Sequence, residues 1–235
     1  VSGNSLTDLR CAIQLGGVIN GNIENCIFDD IDSSAITSMS PSYYSYKSST
    51  TFSLPKYNEN ITVNNCTFYG ATHSVVGRAL LHCCSLSGVN TCHITNNTFS
   101  WCDVGVSGHG TYDVDNVNAP SYTAEYTSGG VDYYRSGRDY VISGNTFINS
   151  SEHSVYINAC NAIISNNNVL VDSTVSISGD LKVRGHQITI SGNTVNCVGG
   201  TSLQLGEYSQ DVTVDGNYFF NTGNNSWGII ALENT

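Results

Sequence analysis

Basic side chains are scarce in this chain. Its 235 residues include 8 Lys and Arg against 19 Asp and Glu, which gives a formal net charge of −11. Proteins that bind nucleic acids neutralise phosphates with clustered Lys and Arg. The charge balance therefore argues against a nucleic-acid partner.

Long apolar runs and helical patterns are also missing. Charged residues make up only 11% of the chain, and Ser, Thr, Asn and Gly occupy most polar positions, which predicts short strands, tight turns and almost no helix. No apolar stretch is long enough to span a membrane, and the first residues, VSGNSLTDLR, lack a basic and apolar leader pattern. Because the chain starts without Met and ends just after an apolar run, we expect it to be a segment of a longer protein.

The cysteines and histidines form no recognisable metal motif. Nine cysteines is an odd number and none forms a C-x-x-C pair, which argues against a zinc knuckle and a complete disulfide set. We expect most of them to be small buried hydrophobes in a reducing compartment. Five histidines are expected to be ordinary turn or strand residues, namely His73, His82, His93, His153 and His186.

One short motif recurs through nearly the whole chain. Its copies are IENCIF, VNNCTF, ITNNTF, ISGNTF, ISNNNV, ISGNTV and VDGNYF, and their asparagines are Asn25, Asn65, Asn97, Asn145, Asn167, Asn193 and Asn217. The last three spacings are 22, 26 and 24 residues. Three short strands per repeat cannot bury their inner face alone, but stacked repeats can, which predicts a solenoid. Asn tolerates a left-handed backbone, and its amide can bond the equivalent amide one coil away.

These corners, preceded by β-branched strands, resemble the right-handed parallel β-helix family of pectate lyases and phage tailspikes. The resemblance covers about residues 10–235 and implies an all-β, right-handed, single-stranded parallel β-helix of about seven to eight coils. We expect a single domain over residues 1–235, with insertions at about 40–60 and 111–139. The fold hosts lyases, hydrolases, isomerases and adhesins, so it does not itself define an activity.

In the family that this chain resembles, the chain passes the Asn corner and then a further turn. The strand that begins after that turn usually forms the sugar-binding face. Carried over, the face strands are residues 11–15, 35–39, 78–84, 103–109, 154–158, 180–184, 202–206 and 227–232. Alternation then predicts an outward set on neighbouring coils: Asp103, Ser107, His109, Ser154, Tyr156, Asn158, Asp180, Lys182, Arg184, Ser202 and Gln204. With coils about 4.8 Å apart, one column holds His109, Asn158 and Arg184, and another holds Ser107, Tyr156 and Lys182.

The outward set contains the candidate catalytic residues. A lyase needs a base beside a uronic-acid carboxylate, a cation for the developing charge and an acid for the leaving oxygen. Four residues are candidates for these roles: Lys182, Arg184, Tyr156 and His109. A hydrolase would need two carboxyls, for which Asp103 and Asp180 are the candidates, although two unshifted coils place them about 10 Å apart, a marginal separation. Glu152, Glu207, Asp113, Asp115 and Asp132 are alternative partners.

Candidate substrate contacts come from the same face and from the two insertions. On the face they are Asn158, Ser107 and Gln204, and in the insertions they are Tyr43, Tyr44, Tyr112, Tyr133 and Tyr134. Tyrosine offers a flat apolar ring to a sugar and a hydroxyl to its polar edge. The calcium-dependent lyases of this family carry acidic ligands beside their basic pair. No E-x-E or D-x-D lies on the neighbouring face strands, so no cofactor is predicted and calcium stays open.

The favoured function is tailspike-like binding, and cleavage, of a bacterial surface polysaccharide. The resemblance implies a homotrimer on a virion tail, without nucleic-acid partners or membrane insertion. One alternative is a free, secreted or cell-surface, lyase or epimerase acting on a uronic-acid polymer. Another is a structural or adhesive β-helix without catalysis. A solvated strand whose cations merely offset a negative chain is the simplest alternative for Lys182 and Arg184.

Overall fold

The computed structural model describes residues 1–38, 58–70, 80–86, 89–109, 126–128, 131–133, 138–171, 180–198, 200–206, 209–221 and 226–231. These residues form strands and connecting turns without a helix. The strands are β1 Ser5–Leu15, β2 Ile19–Glu24, β3 Ile27–Ser38, β4 Asn58–Asn64, β5 Thr67–Tyr69, β6 Leu80–Ser85, β7 Val89–Thr95, β8 Thr98–Ser100, β9 Cys102–His109, β10 Tyr126–Ser128, β11 Val131–Tyr133, β12 Arg138–Ser143, β13 Thr146–Ile148, β14 His153–Ser165, β15 Asn168–Leu170, β16 Asp180–Ser191, β17 Thr194–Cys197, β18 Gly200–Leu205, β19 Gln210–Asp215, β20 Tyr218–Asn221 and β21 Ser226–Ala231.

Nineteen of these strands form one continuous parallel sheet that winds into coils. Strands pair with the equivalent strand one coil away, as in β7–β12, β12–β14 and β16–β19. Since parallel crossovers are right-handed, the chain is a right-handed parallel β-helix, which confirms the predicted fold class. Within the described ranges, no helix is long and apolar enough to cross a bilayer.

Three faces run along the solenoid. The first face carries the strands that precede the Asn corner, such as β4, β7 and β12, and the second face carries the short strands that follow it, such as β5, β8 and β13. The third face carries β6, β9, β18 and β21, together with residues 153–158 of β14 and 180–184 of β16. The third face is the one that the sequence assigns to ligand binding.

The core is built from side chains repeated at the same position of each coil. Four phenylalanines stack along the axis on the inner side of the second face, with ring centroids 4.7–4.9 Å apart, namely Phe28, Phe68, Phe99 and Phe147. All four are fully buried. Equal coil spacing allows this continuous stack, because a ring in one coil meets the same ring in the next.

The sequence predicts that one asparagine per corner has both the left-handed backbone and the amide that bonds the next coil. In the structure, two adjacent residues divide these roles. The first position has a left-handed backbone and is Asn25 (φ 54°), Asn65, Asn96, Gly144, Asn166, Gly192 or Gly216. The second position is buried and forms the amide ladder. Asn25 and Asn65 are therefore left-handed residues outside that ladder, and Cys26 and Cys66 take its place in their coils.

The ladder is a chain of paired hydrogen bonds along the axis. The backbone N and Nδ2 of Asn145 both donate to Oδ1 of Asn167, at 3.0 Å each, and Nδ2 also donates to the carbonyl of Ile94. The same pattern links Asn97 to Asn145, Asn167 to Asn193 and Asn193 to Asn217. At the start, the backbone N of Cys66 donates to Asn97 Oδ1. Every amide in this buried row satisfies its neighbour.

Part of the second insertion is an antiparallel hairpin. Strands β10 and β11 pair with each other, with Tyr126 opposite Tyr133. They form a separate two-stranded sheet outside the solenoid sheet. The first insertion lies outside the described residues, apart from its end at β4.

Loss of one ladder amide is expected to destabilise the whole solenoid. Asn145→Ala removes the acceptor of Asn97 and leaves its buried donors unpaired, so the free energy of unfolding should fall by about 2–4 kcal/mol. Asn65→Gly is the matched control. It removes an exposed amide that bonds Asn25 but keeps a left-handed backbone, and should change stability by less than about 1 kcal/mol. Equal losses in urea unfolding would contradict the structural role of the inner ladder.

Candidate functional site

The third face aligns polar side chains into the two columns expected from the sequence. In the first, the Cα partners run from Ser107 to Tyr156 to Lys182 to Gln204. In the second, Asn158 lies between His109 and Arg184. The residues between them point inward, since Val155, Ile157, Leu181 and Val183 are all fully buried. Strand alternation thus carries Lys182 and Arg184 onto the outer side of one strand.

Lys182 and Tyr156 are in direct contact. The Lys182 Nζ lies 5.1 Å from the centroid of the Tyr156 ring, within the range of a cation–π interaction. The His153 ring also lies close to Tyr156, with ring centroids 5.3 Å apart in a tilted arrangement. Tyr156, Lys182 and Arg184 are each partly exposed. A ligand on this face therefore meets an aromatic ring beside cationic groups.

The backbone at the end of this strand fixes the position of Arg184. Gly206, one coil away, leaves room for its aliphatic chain, because a Cβ there would lie 3.1–3.3 Å from Arg184 carbons. Gly185 follows Arg184 with φ +133°, and a Cβ at that position would lie 1.9 Å from the carbonyl oxygen of Ala159. Only glycine fits here, so the direction in which Arg184 leaves the strand is set by the fold.

Asp180 departs from the predicted arrangement. The sequence places it outward as a candidate acid or nucleophile, but its side chain is completely buried. A register shift at Ser154 in β14 puts Asp180 opposite His153. Its Oδ1 bonds Nδ1 of His153, and its Oδ2 accepts from Nε2 of Gln204. Asp180 is thus a buried partner of His153 and Gln204 and does not reach a polymer directly.

Four more outward predictions are corrected by burial. Ser107 is 1% exposed and Asn158 7%, although both were expected to contact substrate. Ser154 and Ser202 are fully buried. The side chains of Ser107 and Asn158 are shorter than those of Tyr156 and Arg184 in the next coil, so they lie below the outer surface. Gln204 is partly exposed, but its amide nitrogen is engaged by Asp180.

Asp103 is partly exposed and accepts a hydrogen bond from the hydroxyl of Ser151. With Asp180 buried, the pair of exposed carboxyls considered for hydrolysis does not form. Among the alternative partners, Glu152 is exposed, and its backbone N donates to the carbonyl of Asp103 at 3.0 Å.

Several predicted residues lie outside the described part of the chain. Tyr43, Tyr44, Tyr112 and Tyr134 are among them, and their expected contacts with substrate stay predictions. Tyr133 is placed only by its strand, β11. His109 is placed by backbone register at the end of β9, beside Asn158. Glu207, Asp113 and Asp115 also fall outside the described ranges.

His153 is the residue that sequence reasoning missed. It was expected to be an ordinary turn or strand histidine, yet it joins the buried Asp180 to the partly exposed Tyr156. Its side chain is 17% exposed. A weak signal existed in the sequence, because His153 begins the same face strand as Tyr156. The bulge that moves Asp180 opposite it has no sequence marker.

Five of the described thiols are buried in the core of the solenoid. Cys26, Cys66, Cys84 and Cys92 are buried in the core, and Cys197 lies behind Asp180. Burial raises the pKa of Cys66 to about 11 and, with the charge of Asp180, that of Cys197 to about 12. These cysteines match the expected buried hydrophobes. Cys102, in contrast, is disulfide-bonded, which departs from the expected reducing compartment.

The described residues contain no group of three or more His, Cys, Asp and Glu arranged to hold a metal ion. His153 uses Nδ1 for Asp180, and Nε2 of His186 lies 2.7 Å from a carboxylate oxygen of Asp211. The two histidines therefore bond separate carboxylates.

Comparison with known families agrees with the coil architecture. The family model described as periplasmic copper-binding protein (NosD) matches residues 44–227, more than three quarters of the chain. The chain belongs to the NosD family. No curated protein and no solved structure gives a significant match. The NosD match includes the whole site from Tyr156 to Gln204, while the tailspike resemblance finds no support beyond the shared fold.

Thiol labelling should separate Cys11 from the core cysteines. Cys11 is exposed, whereas burial keeps Cys66, Cys84 and Cys92 protonated at neutral pH by raising their pKa values. Iodoacetamide at pH 8 should modify Cys11 well before these three, as measured by peptide mass spectrometry. Unfolding in guanidinium should abolish the difference. Equal rates in the native protein would contradict the buried placement.

Proposed function

We propose that the third face binds an acidic polysaccharide of a bacterial surface. The observation that carries the proposal is the alignment of Lys182 and Arg184 on the outer side of one strand, one rung from Tyr156. The chain has only 8 basic residues, so two on one short strand make a local positive region on a negative protein. Such a positive region attracts ligands that carry carboxylates.

The chemistry of the three residues fits sugar acids. Arg184 has a planar guanidinium that can fork onto a carboxylate, and Lys182 supplies a compact positive charge. Tyr156 offers an apolar ring face and a hydroxyl, a combination suited to a pyranose ring. Equivalent positions repeat about every 4.8 Å along the solenoid, so a polymer can contact several coils at once.

The tailspike-like form of this proposal adds a homotrimer on a virion tail and cleavage of the polymer. It is supported by the resemblance of the corner motifs and by two aromatic side chains exposed on the outer side of the second face, Tyr218 and Phe220. Binding without cleavage requires fewer groups, and the burial of Asp180 weighs against hydrolysis by two carboxyls. The periplasmic description of the NosD family favours a location outside the cytoplasm.

Copper is the ligand that the family description names. Copper sites in proteins use His, Cys and Met donors brought together at one point. The described residues bring no three His, Cys, Asp or Glu side chains together at one point, and His153 and His186 bond separate carboxylates, so these residues do not fit a copper site.

Removal of the two cations should abolish binding of acidic polymers. Lys182→Ala with Arg184→Ala should weaken binding to polygalacturonate or alginate by about 10²-fold or more, since each lost charge-assisted contact removes about 1.5–3 kcal/mol. Affinity electrophoresis at low and high salt is the measurement, with dextran as the neutral polymer. Salt should weaken binding of the wild type more than that of the double variant.

Arg138→Ala is the matched control for this experiment. Arg138 is a partly exposed cation on the first face, and its Nε lies 3.5 Å from a carboxylate oxygen of the adjacent Asp139. The variant should bind like the wild type. An equal loss on Arg138→Ala would mean that net charge alone governs the interaction, and binding to dextran as strong as to polyuronates would contradict an acidic ligand.

The oligomeric form can be measured independently of the ligand. The tailspike-like proposal predicts a homotrimer, three times the 25.2 kDa of one chain. Light scattering coupled to size exclusion gives the mass directly. A monomer at micromolar concentration would remove the trimer from the proposal and leave polysaccharide binding unaffected.

A further inference from the structure

We infer that His153 is the general base of a β-elimination on the acidic sugar that this face binds, with Asp180 as its positioning residue. The inference rests on the proposed function and adds a reaction to it. His153 links the buried carboxylate of Asp180 to the ring of Tyr156, and Tyr156 in turn contacts Lys182. Four groups of acid–base or charge chemistry thus form one continuous set.

Asp180 fixes the orientation of the His153 imidazole. Asp180 is fully buried, and its Oδ1 bonds Nδ1 of His153. A carboxylate at Nδ1 holds the proton on that nitrogen, so Nε2 keeps its lone pair and can accept a proton. Gln204 occupies the other oxygen of Asp180, which holds the carboxylate in place. The base is therefore positioned by a buried carboxylate that a ligand does not reach.

A phenolic hydroxyl and two cations lie on the same face as the His153 ring. The His153 ring is partly exposed and 5.3 Å from the Tyr156 ring, so both can face one bound sugar. Tyr156 carries a hydroxyl that can donate a proton. Lys182 lies 5.1 Å from the same ring, and Arg184 follows two residues later on its strand. A base, an acid and two cations are the groups that an elimination beside a carboxylate requires.

The reaction balances without any additional reactant. Nε2 of His153 removes the proton at C5 of a uronic acid, and the electron pair forms the C4=C5 double bond. The bond from C4 to the glycosidic oxygen breaks, and that oxygen receives the Tyr156 hydroxyl proton. The cations stabilise the negative charge that develops on the carboxylate. The proton on His153 then returns, through solvent, to the Tyr156 phenolate, which restores both groups.

His186 provides a matched comparison in β16, the strand that pairs with β14. It also pairs with a carboxylate, that of Asp211, at 2.7 Å. However, Asp211 is exposed, with a side-chain exposure of 69%, and His186 belongs to the first-face segment of β16. A histidine–carboxylate pair is thus present on both faces, while the contact with Tyr156 is found at His153.

The test measures binding and elimination separately on the same proteins. Wild type, His153→Gln, Asp180→Asn and His186→Gln are incubated with polygalacturonate and alginate, and the ultraviolet absorbance of the new double bond is followed. Affinity electrophoresis gives binding, and urea unfolding confirms that each variant is folded. His153→Gln should lose about 10²-fold or more of the rate while it still binds. His186→Gln should match the wild type, and Asp180→Asn should fall between them at similar affinity.

Rescue by a small molecule distinguishes a base from a structural residue. His153→Ala should regain part of the elimination rate when imidazole is added, because the cavity admits a free base at the same place. The same addition should leave Lys182→Ala unchanged. Binding of polyuronate by the wild type without any unsaturated product would overturn the role of His153 and leave the proposed function standing. Failure to bind either polymer would overturn the proposed function itself.

Discussion

Parallel pairing of each coil with the next is the interaction on which the rest of this structure depends. It keeps equivalent residues in register along the axis, so a feature that suits one coil is repeated in its neighbours. The phenylalanine stack and the buried ladder from Asn97 to Asn217 both follow from this register. Because every ladder amide donates to the next, the corners are satisfied without water.

The same register assembles the candidate site from distant parts of the chain. Ser107, Tyr156, Lys182 and Gln204 come from four different coils, yet they form one column. Burial of alternate residues such as Val155 and Val183 fixes which side chains point outward. Binding to this face and acid–base chemistry at His153 therefore share one scaffold, while their chemical requirements differ. Cations select the ligand, and an oriented imidazole acts on it.

Sequence patterns predict some features of the site and miss others. The alternation in DLKVRG predicted that Lys182 and Arg184 lie outside, and their strand position agrees. The bulge at Ser154 moved Asp180 opposite His153, which turned a predicted catalytic carboxyl into a buried anchor. At the corners, one predicted asparagine became two positions, because the left-handed residue and the buried amide are neighbours. The tyrosines of the two insertions have no repeat from which a position could be predicted.

The sequence by itself determined the solenoid, because the corner motif and the β-branched strand before it recur seven times along the chain. It also determined the face that carries Lys182 and Arg184, since alternation within a strand is a local property of the backbone. The tertiary structure alone decided which of these side chains are buried and that His153 meets Asp180. That contact joins different coils and depends on a one-residue shift in register. Such a shift arises from packing between coils, which no local pattern encodes.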